Sequence, residues 1–246
     1  MRSVLFPIFF LLAGFSAQAQ PDEIKTSNGI LKITPVQHAS FVMEWNGNTI
    51  YVDPAGGRRL YENFPRPTLI LITDIHGDHM DRKTLDSIKF QNAIMIMPPA
   101  VADSLKNYGS RKAVVLRNGE QTMEKGMSIR AIPMYNLPEK PDSRHPKGRG
   151  NGYLLNIGDK TIYISGDTED IKEMRSLSGV DIAFVCMNMP YTMHVEQAAE
   201  VVTDFQPKIV YPYHHRGQDI NEFKRLVDKE GKKIEVRLRD WYPNGE

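Results

Sequence analysis

The sequence predicts an α/β domain built as two sheets with helices outside them. Three observations carry that expectation. Apolar β-type runs alternate with helical stretches along much of the chain, the pattern of buried strands joined by helices. The opening segments instead follow one another closely through an Asn-Gly turn, as in an antiparallel meander. Both halves share this plan, although no residue-level repeat of fixed period relates them.

Leu31–Val36, Ser40–Trp45 and Thr49–Val52 read as the first strands, with Asn46-Gly47-Asn48 turning between the last two. The apolar runs Thr68–Ile72, Ala93–Met97 and Ala113–Leu116 alternate with the helical stretches Asp81–Lys89 and Ala100–Tyr108. The second half sets out Met127–Ile132, then Tyr153–Ile157 and Thr161–Ile164 around a Gly158-Asp159 hairpin. A short helix near Glu169–Arg175 and the strand Asp181–Cys186 follow. A helix near His194–Phe205, the strand Lys208–Tyr211, a helix near Asp219–Lys229 and the strand Ile234–Arg237 complete the order. In the first of these helices Val195, Ala198, Ala199, Val202 and Phe205 form one apolar face at 3.6-residue spacing. Pro133–Gly152 mixes Pro, Gly and charged residues between two buried runs, so it reads as an ordered functional loop.

Composition excludes several classes of function. At 246 residues with 41% hydrophobic and 25% charged residues, the chain can bury a full core without staples. Its one cysteine leaves no intramolecular disulfide. Lys+Arg 31 against Asp+Glu 30 lacks the basic excess of a nucleic-acid binder, so no nucleic-acid partner is expected. Arg2, the apolar run Val4–Phe15 and Ala17-Gln18-Ala19 have the layout of a secretory signal peptide. Residues 1–19 are therefore expected to be removed, leaving one domain over 20–246. The run is too short to span a bilayer, so no integral membrane segment is expected after cleavage and the protein should be exported, periplasmic or secreted.

The chemistry concentrates in Thr73-Asp74-Ile75-His76-Gly77-Asp78-His79, directly after an apolar run. Alternate residues on an extended tip project to one side, so Asp74 and His76 can share one ion while Asp78 and His79 reach another. A solvated loop with Asp78 or Asp81 as a helix cap would explain one carboxylate, but not both histidines. His145, Asp167 and His214 each follow a strand or lie in a loop where they could complete a dinuclear site. The Asp167 carboxylate, behind Gly166, could bridge two cations.

This order of ligands resembles that of the metallo-β-lactamase-fold hydrolases: His-x-His-x-Asp-His, then His, Asp and His. The nearest resemblance is to the branch of the ascorbate-6-phosphate lactonases and N-acyl-phosphatidylethanolamine phospholipases. Val36-Gln37-His38-Ala39-Ser40-Phe41, Ile50-Tyr51-Val52-Asp53-Pro54 and Gly150-Asn151-Gly152-Tyr153 carry that part of the likeness. It implies an αββα sandwich, two mixed β-sheets with helices on the outer faces, and metals at the edge between the sheets. Position by position it implies Asp74, His76 and His145 at one ion, Asp78, His79 and His214 at the other, and Asp167 between them.

The resemblance further implies a metal-dependent hydrolase with two divalent ions, Zn2+ or Mn2+. Ions about 3.5–4 Å apart would lower the pKa of a bridging water to give the nucleophile. Asp78 would also orient that nucleophile, making it catalytic as well as a ligand. His38 is the second catalytic candidate, a residue lining the site, although a core histidine supporting a ligand is an equally good reading. The family pattern has histidine where this chain has Asp74, and a carboxylate there favours harder cations such as manganese. His215 competes with His214 as ligand, although spacing after Pro212 favours His214.

The expected substrate is a small molecule, an anionic ester such as a phosphodiester or lactone, because Arg144, Lys147 and Arg149 flank His145, Arg58 and Arg59 follow Pro54, and Arg216 follows His214. Solvation charge explains such residues equally well. A β-lactamase-type amide hydrolase and a non-catalytic metal-binding protein are the alternatives. An RNA-processing nuclease is disfavoured, because that branch carries a large inserted domain.

Overall fold

The computed structural model describes residues 20–106, 112–243 and 245. The expected signal peptide, residues 1–19, and the end of the expected helix Ala100–Tyr108 lie outside the described residues. Fourteen strands and five α-helices follow in order among the described residues. They are β1 (Asp22–Thr26), β2 (Gly29–Gln37), β3 (Ser40–Trp45), β4 (Asn48–Val52), β5 (Leu69–Leu71), α1 (Arg82–Ser87), β6 (Ile94–Met97), α2 (Pro99–Ser104) and β7 (Lys112–Val115) in the first half. The second half holds β8 (Gln121–Glu124), β9 (Met127–Met134), β10 (Gly150–Ile157), β11 (Lys160–Ile164), α3 (Lys172–Arg175), β12 (Ile182–Cys186), α4 (Val195–Phe205), β13 (Ile209–Tyr213), α5 (Ile220–Lys229) and β14 (Glu235–Val236).

Each half forms one seven-stranded mixed sheet, β1 to β7 in sequence order and β14 back to β8. Strands β1 to β4 pair antiparallel and β4 to β7 parallel; β8 to β11 pair antiparallel and β11 to β14 parallel. The meander and the α/β alternation of the sequence are these two regimes.

Period-two alternation sorts the strand residues into layers. Phe41, Leu69, Leu71, Ile94 and Ile96 join Ile129, Tyr153, Ile162 and Phe184 of the other sheet in one core. Val42, Ile70, Ile72, Met95 and Met97 face the other way and pack with Leu85, Ile88 and Val101 beneath α1 and α2. The result is the αββα sandwich. An aromatic seam closes one end: Phe41 stacks on Phe184 at 4.1 Å between centroids, and buried Trp241 meets both edge-on.

Helix starts follow their caps. The Asp81 side chain accepts from Lys83 N, Asp219 from Asn221 N and Glu222 N, and His194 from Gln197 N. Because Asp81 supplies the α1 cap, Asp78 is left for other work.

Strands β1 and β8 were not expected from sequence. Both are polar edges, with only Ile24 and Thr26 of β1 buried and no buried residue in β8. The turn Lys125-Gly126, with positive φ at both residues, was the one available hairpin signal for β8. Strand β10 starts at Gly150, three residues before the expected Tyr153.

That early start matters, because residues 150–152 run beside the other sheet. Asn151 N donates to Thr73 O at 2.9 Å, and Tyr153 OH donates to Ile72 O at 2.8 Å. A Cβ on Gly152 would lie 2.8 Å from both Ile164 O and Ser165 O, backbone atoms that cannot swing aside. Gly152→Ala should therefore lower stability by about 1–3 kcal/mol, the usual cost of forced overpacking. Chemical denaturation checks this; an unchanged midpoint would show that β10 has slack.

Candidate metal centre

The carboxyl ends of the parallel strands gather the chemistry, as open α/β sheets arrange their ligand crevices. Asp53 follows β4 and the 73–79 loop follows β5. Asp167 follows β11 and His214 follows β13, while His145 lies in the long connection from β9 to β10. All seven residues named from sequence as metal donors are brought to one place. His214, buried, faces the cluster; His215, its neighbour, packs edge-on against Tyr242 at 4.8 Å between centroids.

The geometry centres on Asp167. His145 Nε2 lies 3.2 Å and His79 Nε2 3.3 Å from Asp167 Oδ2, and His214 Nε2 lies 3.4 Å from Oδ1. These three Nε2 atoms and Asp167 Oδ1 are buried without a hydrogen-bond partner among the described residues. Leaving such atoms unmatched is costly unless something else satisfies them.

Two of the rings have a fixed tautomer. Asp53 Oδ2 lies 2.9 Å from His79 Nδ1, so that nitrogen carries the proton and Nε2 presents a lone pair. Asp53 is itself held by Thr73 N at 2.7 Å and Thr73 Oγ1 at 2.6 Å. Asn136 Oδ1 lies 3.1 Å from His145 Nδ1, and its amide nitrogen donates to Glu169 Oε1 and Tyr191 O, which fixes the amide's orientation. Lone pairs on His79 and His145 thus face a carboxylate, acceptor against acceptor.

A cation between them, or a second proton on an imidazole, resolves that conflict, and the electrostatics show the same pull toward positive charge. Burial opposes an imidazolium at His79, yet the Asp167 and Asp53 carboxylates outweigh it and hold the His79 pKa well above its ordinary value. Burial likewise pushes Asp167 upward, but the His214, His79 and His145 rings carry it well below the carboxylate range. Donors about 2.0–2.2 Å from one ion in a tetrahedral set stand about 3.3–3.6 Å apart, close to the separations seen here. The donor set therefore fits a divalent cation.

Two flanking groups complete the cluster. Asp74 Oδ2 lies 2.7 Å from His76 Nδ1 and 4.0 Å from His145 Nε2. Arg149 grips the same carboxylate from the other side, Nε to Oδ1 and Nη2 to Oδ2, each at 3.2 Å. Burial raises the Asp74 pKa, but His76, His79 and Arg149 together carry it below the ordinary value.

On the opposite side Asp78 Oδ2 sits 3.3 Å from His38 Nε2 and 3.5 Å from His214 Nε2, with 37% of its side chain exposed. Burial raises its pKa, and the His214 and His38 contacts more than reverse that. His38 reaches Tyr242 OH through Nδ1 at 2.7 Å, and its ring lies 3.8 Å from that of His214. Backbone strain collects at this corner: His38, Asp53 and His214 have φ of 55°, 43° and 49°.

Three supporting residues had no functional signal in the sequence. Asn136 and Tyr242 look like ordinary loop residues, and Asp53 was visible only as part of the opening motif. Ser40 and Ser165, at strand ends, both donate to backbone oxygens, and Cys186 is a buried core residue.

A family model for the Beta-lactamase superfamily domain matches residues 32–214, which takes in every donor just described. The chain belongs to this superfamily. A UPF0173 metal-dependent hydrolase of Pyrococcus horikoshii is 31% identical over 228 residues, covering 84% of this chain and 95% of that one. Another, from Nanoarchaeum equitans, is 28% identical and covers 85% and 98%. A crystal structure from Parabacteroides distasonis, ascribed to the metal-dependent hydrolases, shares 39% identity and a TM-score of 0.81 over 90% of this chain and 98% of that one. A metallo hydrolase of Ignicoccus hospitalis, at 24% identity and TM-score 0.72, shares the fold. As a superfamily member with such relatives, the protein is a metal-dependent hydrolase of metallo-β-lactamase fold.

Proposed function

We propose that the protein hydrolyses a small anionic ester, a phosphodiester or a lactone, outside the cytoplasm. The observation that carries the hydrolytic site is the set of buried, partnerless nitrogens around Asp167. Asp74, His76 and His145 would hold one divalent ion, Asp78, His79 and His214 a second, with Asp167 shared between them. Zn2+ or Mn2+ held there would supply Lewis acidity and an activated water.

The chain's own residues supply the rest. Asp53 and Asn136 lock the His79 and His145 rings so that their lone pairs need no reorientation. Asp78, partly exposed and deprotonated, is placed to orient the attacking water. His38 holds that carboxylate from behind, and Tyr242 fixes His38. No serine or cysteine nucleophile is required: Ser40 and Ser165 are tied to backbone and Cys186 is buried.

Protein loaded separately with Mn2+ and with Zn2+ should cleave a phosphodiester or a lactone from a panel that also contains β-lactams, and chelation should abolish the turnover. Cleavage of β-lactams alone would replace this reading with an amide hydrolase. Export rests on the sequence of residues 1–19 and predicts that the mature chain starts at Gln20 or within a residue of it. N-terminal mass mapping that finds Met1 on the mature protein would refute it.

A further inference from the structure

We infer that the cavity beside Asp78 is the substrate pocket, and that Arg216 within it binds a carboxylate or phosphate of the substrate separate from the scissile bond. This deepens the hydrolase reading above and rests on it. The cavity has a volume of 290 Å3, and its polar walls are Gln37, His38, Asp78, Arg216 and Tyr242. It therefore opens directly on the carboxylate proposed to orient the water.

Size and lining restrict what can enter. The volume is at the small end of ligand pockets. Its remaining lining is alanine and glycine, with no Leu, Ile, Val, Met or Phe side chain among the described residues. The apolar part of the lining comes from alanine, glycine and ring carbons and not from long aliphatic side chains, so a long acyl chain is a poor fit.

Charge restricts it further. Of the basic residues near the site, Lys147 is paired with Glu139 at 3.0 Å and Glu173 at 3.2 Å, and Arg58 with Glu62 at 3.8 Å. Arg149 is committed to Asp74, the Arg144 guanidinium lies 4.4 Å over the Tyr191 ring, and Arg59, exposed and without an ion pair among the described residues, does not line the cavity. Arg216 is different: it is exposed, lines the cavity, and its side chain makes no ion pair or hydrogen bond among the described residues. Its backbone is nevertheless pinned, because its N–H donates to Tyr242 OH at 2.7 Å and its φ is 22°. The same hydroxyl holds His38, so Tyr242 ties the position of the cation to the carboxylate side of the pocket.

Arg216 attracts an anionic group, and its planar fork suits carboxylate or phosphate. With Asp78 committed to the metal centre, the substrate's anion would lie at Arg216 and its ester toward Asp78.

The test compares metal-loaded wild type, Arg216→Gln and Arg216→Lys, with matched metal content and circular dichroism. Three lactones of similar size serve as substrates: one with a side carboxylate, its neutral carboxamide, and one with a phosphate. Wild type should prefer an anionic over the neutral lactone by about tenfold or more in kcat/KM. Arg216→Gln should bring that ratio close to one, mainly through KM, and Arg216→Lys should restore part of it. The carboxylate and phosphate arms decide which anion the pocket takes.

Succinate and inorganic phosphate, titrated calorimetrically into the same proteins, read binding without turnover. Arg216→Gln should weaken one of them about tenfold or more. An unchanged preference together with unchanged binding overturns the inference and leaves the hydrolase reading standing. Arg216-dependent binding with no lactone or phosphodiester cleaved by any form leaves the anion site standing and removes the ester hydrolase. A preference for a long-chain ester overturns the inference.

Discussion

Asp167→Ala should reduce turnover by a factor on the order of a thousand or more and strip the protein of most of its metal. Losing a residue that merely supports a ligand costs about 10–100-fold in metal affinity or activity, and Asp167 lies at the centre of the donor set. Its two oxygens face three imidazoles at 3.2, 3.3 and 3.4 Å. With the carboxylate gone, three partnerless nitrogens surround a void of reduced negative charge. His38→Ala should cost much less metal, because His38 touches Asp78 and not Asp167. Elemental analysis and kcat of the two variants, side by side, test the ranking. A full metal complement in Asp167→Ala would remove that residue from the centre of the site.

The second large effect is expected at Asp74. Arg149 has 20% of its side chain exposed, and both of its contacting nitrogens face the buried Asp74 carboxylate. Asp74→His deletes the partner and leaves a guanidinium against buried imidazoles. Breaking a buried pair from one side costs about 3–5 kcal/mol, and partial exposure places this case near the lower figure. The single variant should therefore lose stability and bind metal poorly, despite having the ligand its apparent relatives carry. Asp74→His with Arg149→Gln should recover stability and shift preference from Mn2+ toward Zn2+, imidazole being the softer donor. Denaturation and metal competition across the four proteins of the cycle would measure the coupling. Additive effects would show that the pair is not a unit.

Legibility followed the physics of each signal. Buried parallel strands such as β5, β6 and β12 are short continuous apolar runs, and sequence shows them directly. Strands β1 and β8 lie at sheet edges with most side chains in solvent, so nothing in Asp22–Thr26 or Gln121–Glu124 demanded a strand. The donors were legible because histidine and aspartate crowd one loop and recur after later strands. Their supports were not: the reach of Asn136 to His145 or of Tyr242 to His38 depends on how distant segments meet. The cations show the same divide. Lys147 and Arg149 looked like neighbours of a substrate, and their partners Glu173 and Asp74 appear only once the sheets are assembled.

The donors are shared between the halves of the chain: residues 74–79 come from one sheet, and His145, Asp167 and His214 from the other. An ion held by both sets is, mechanically, a rivet through two plates. It closes loops of very different length at once, and closing long loops is where a cross-link constrains an unfolded chain most. With an ion bound, the two plates could not part without breaking coordination bonds, so occupancy should govern how fast the molecule opens more than how it is shaped. Exposure to chelators would then act as a clock on survival, shortening the life of a fold whose resting form stays the same.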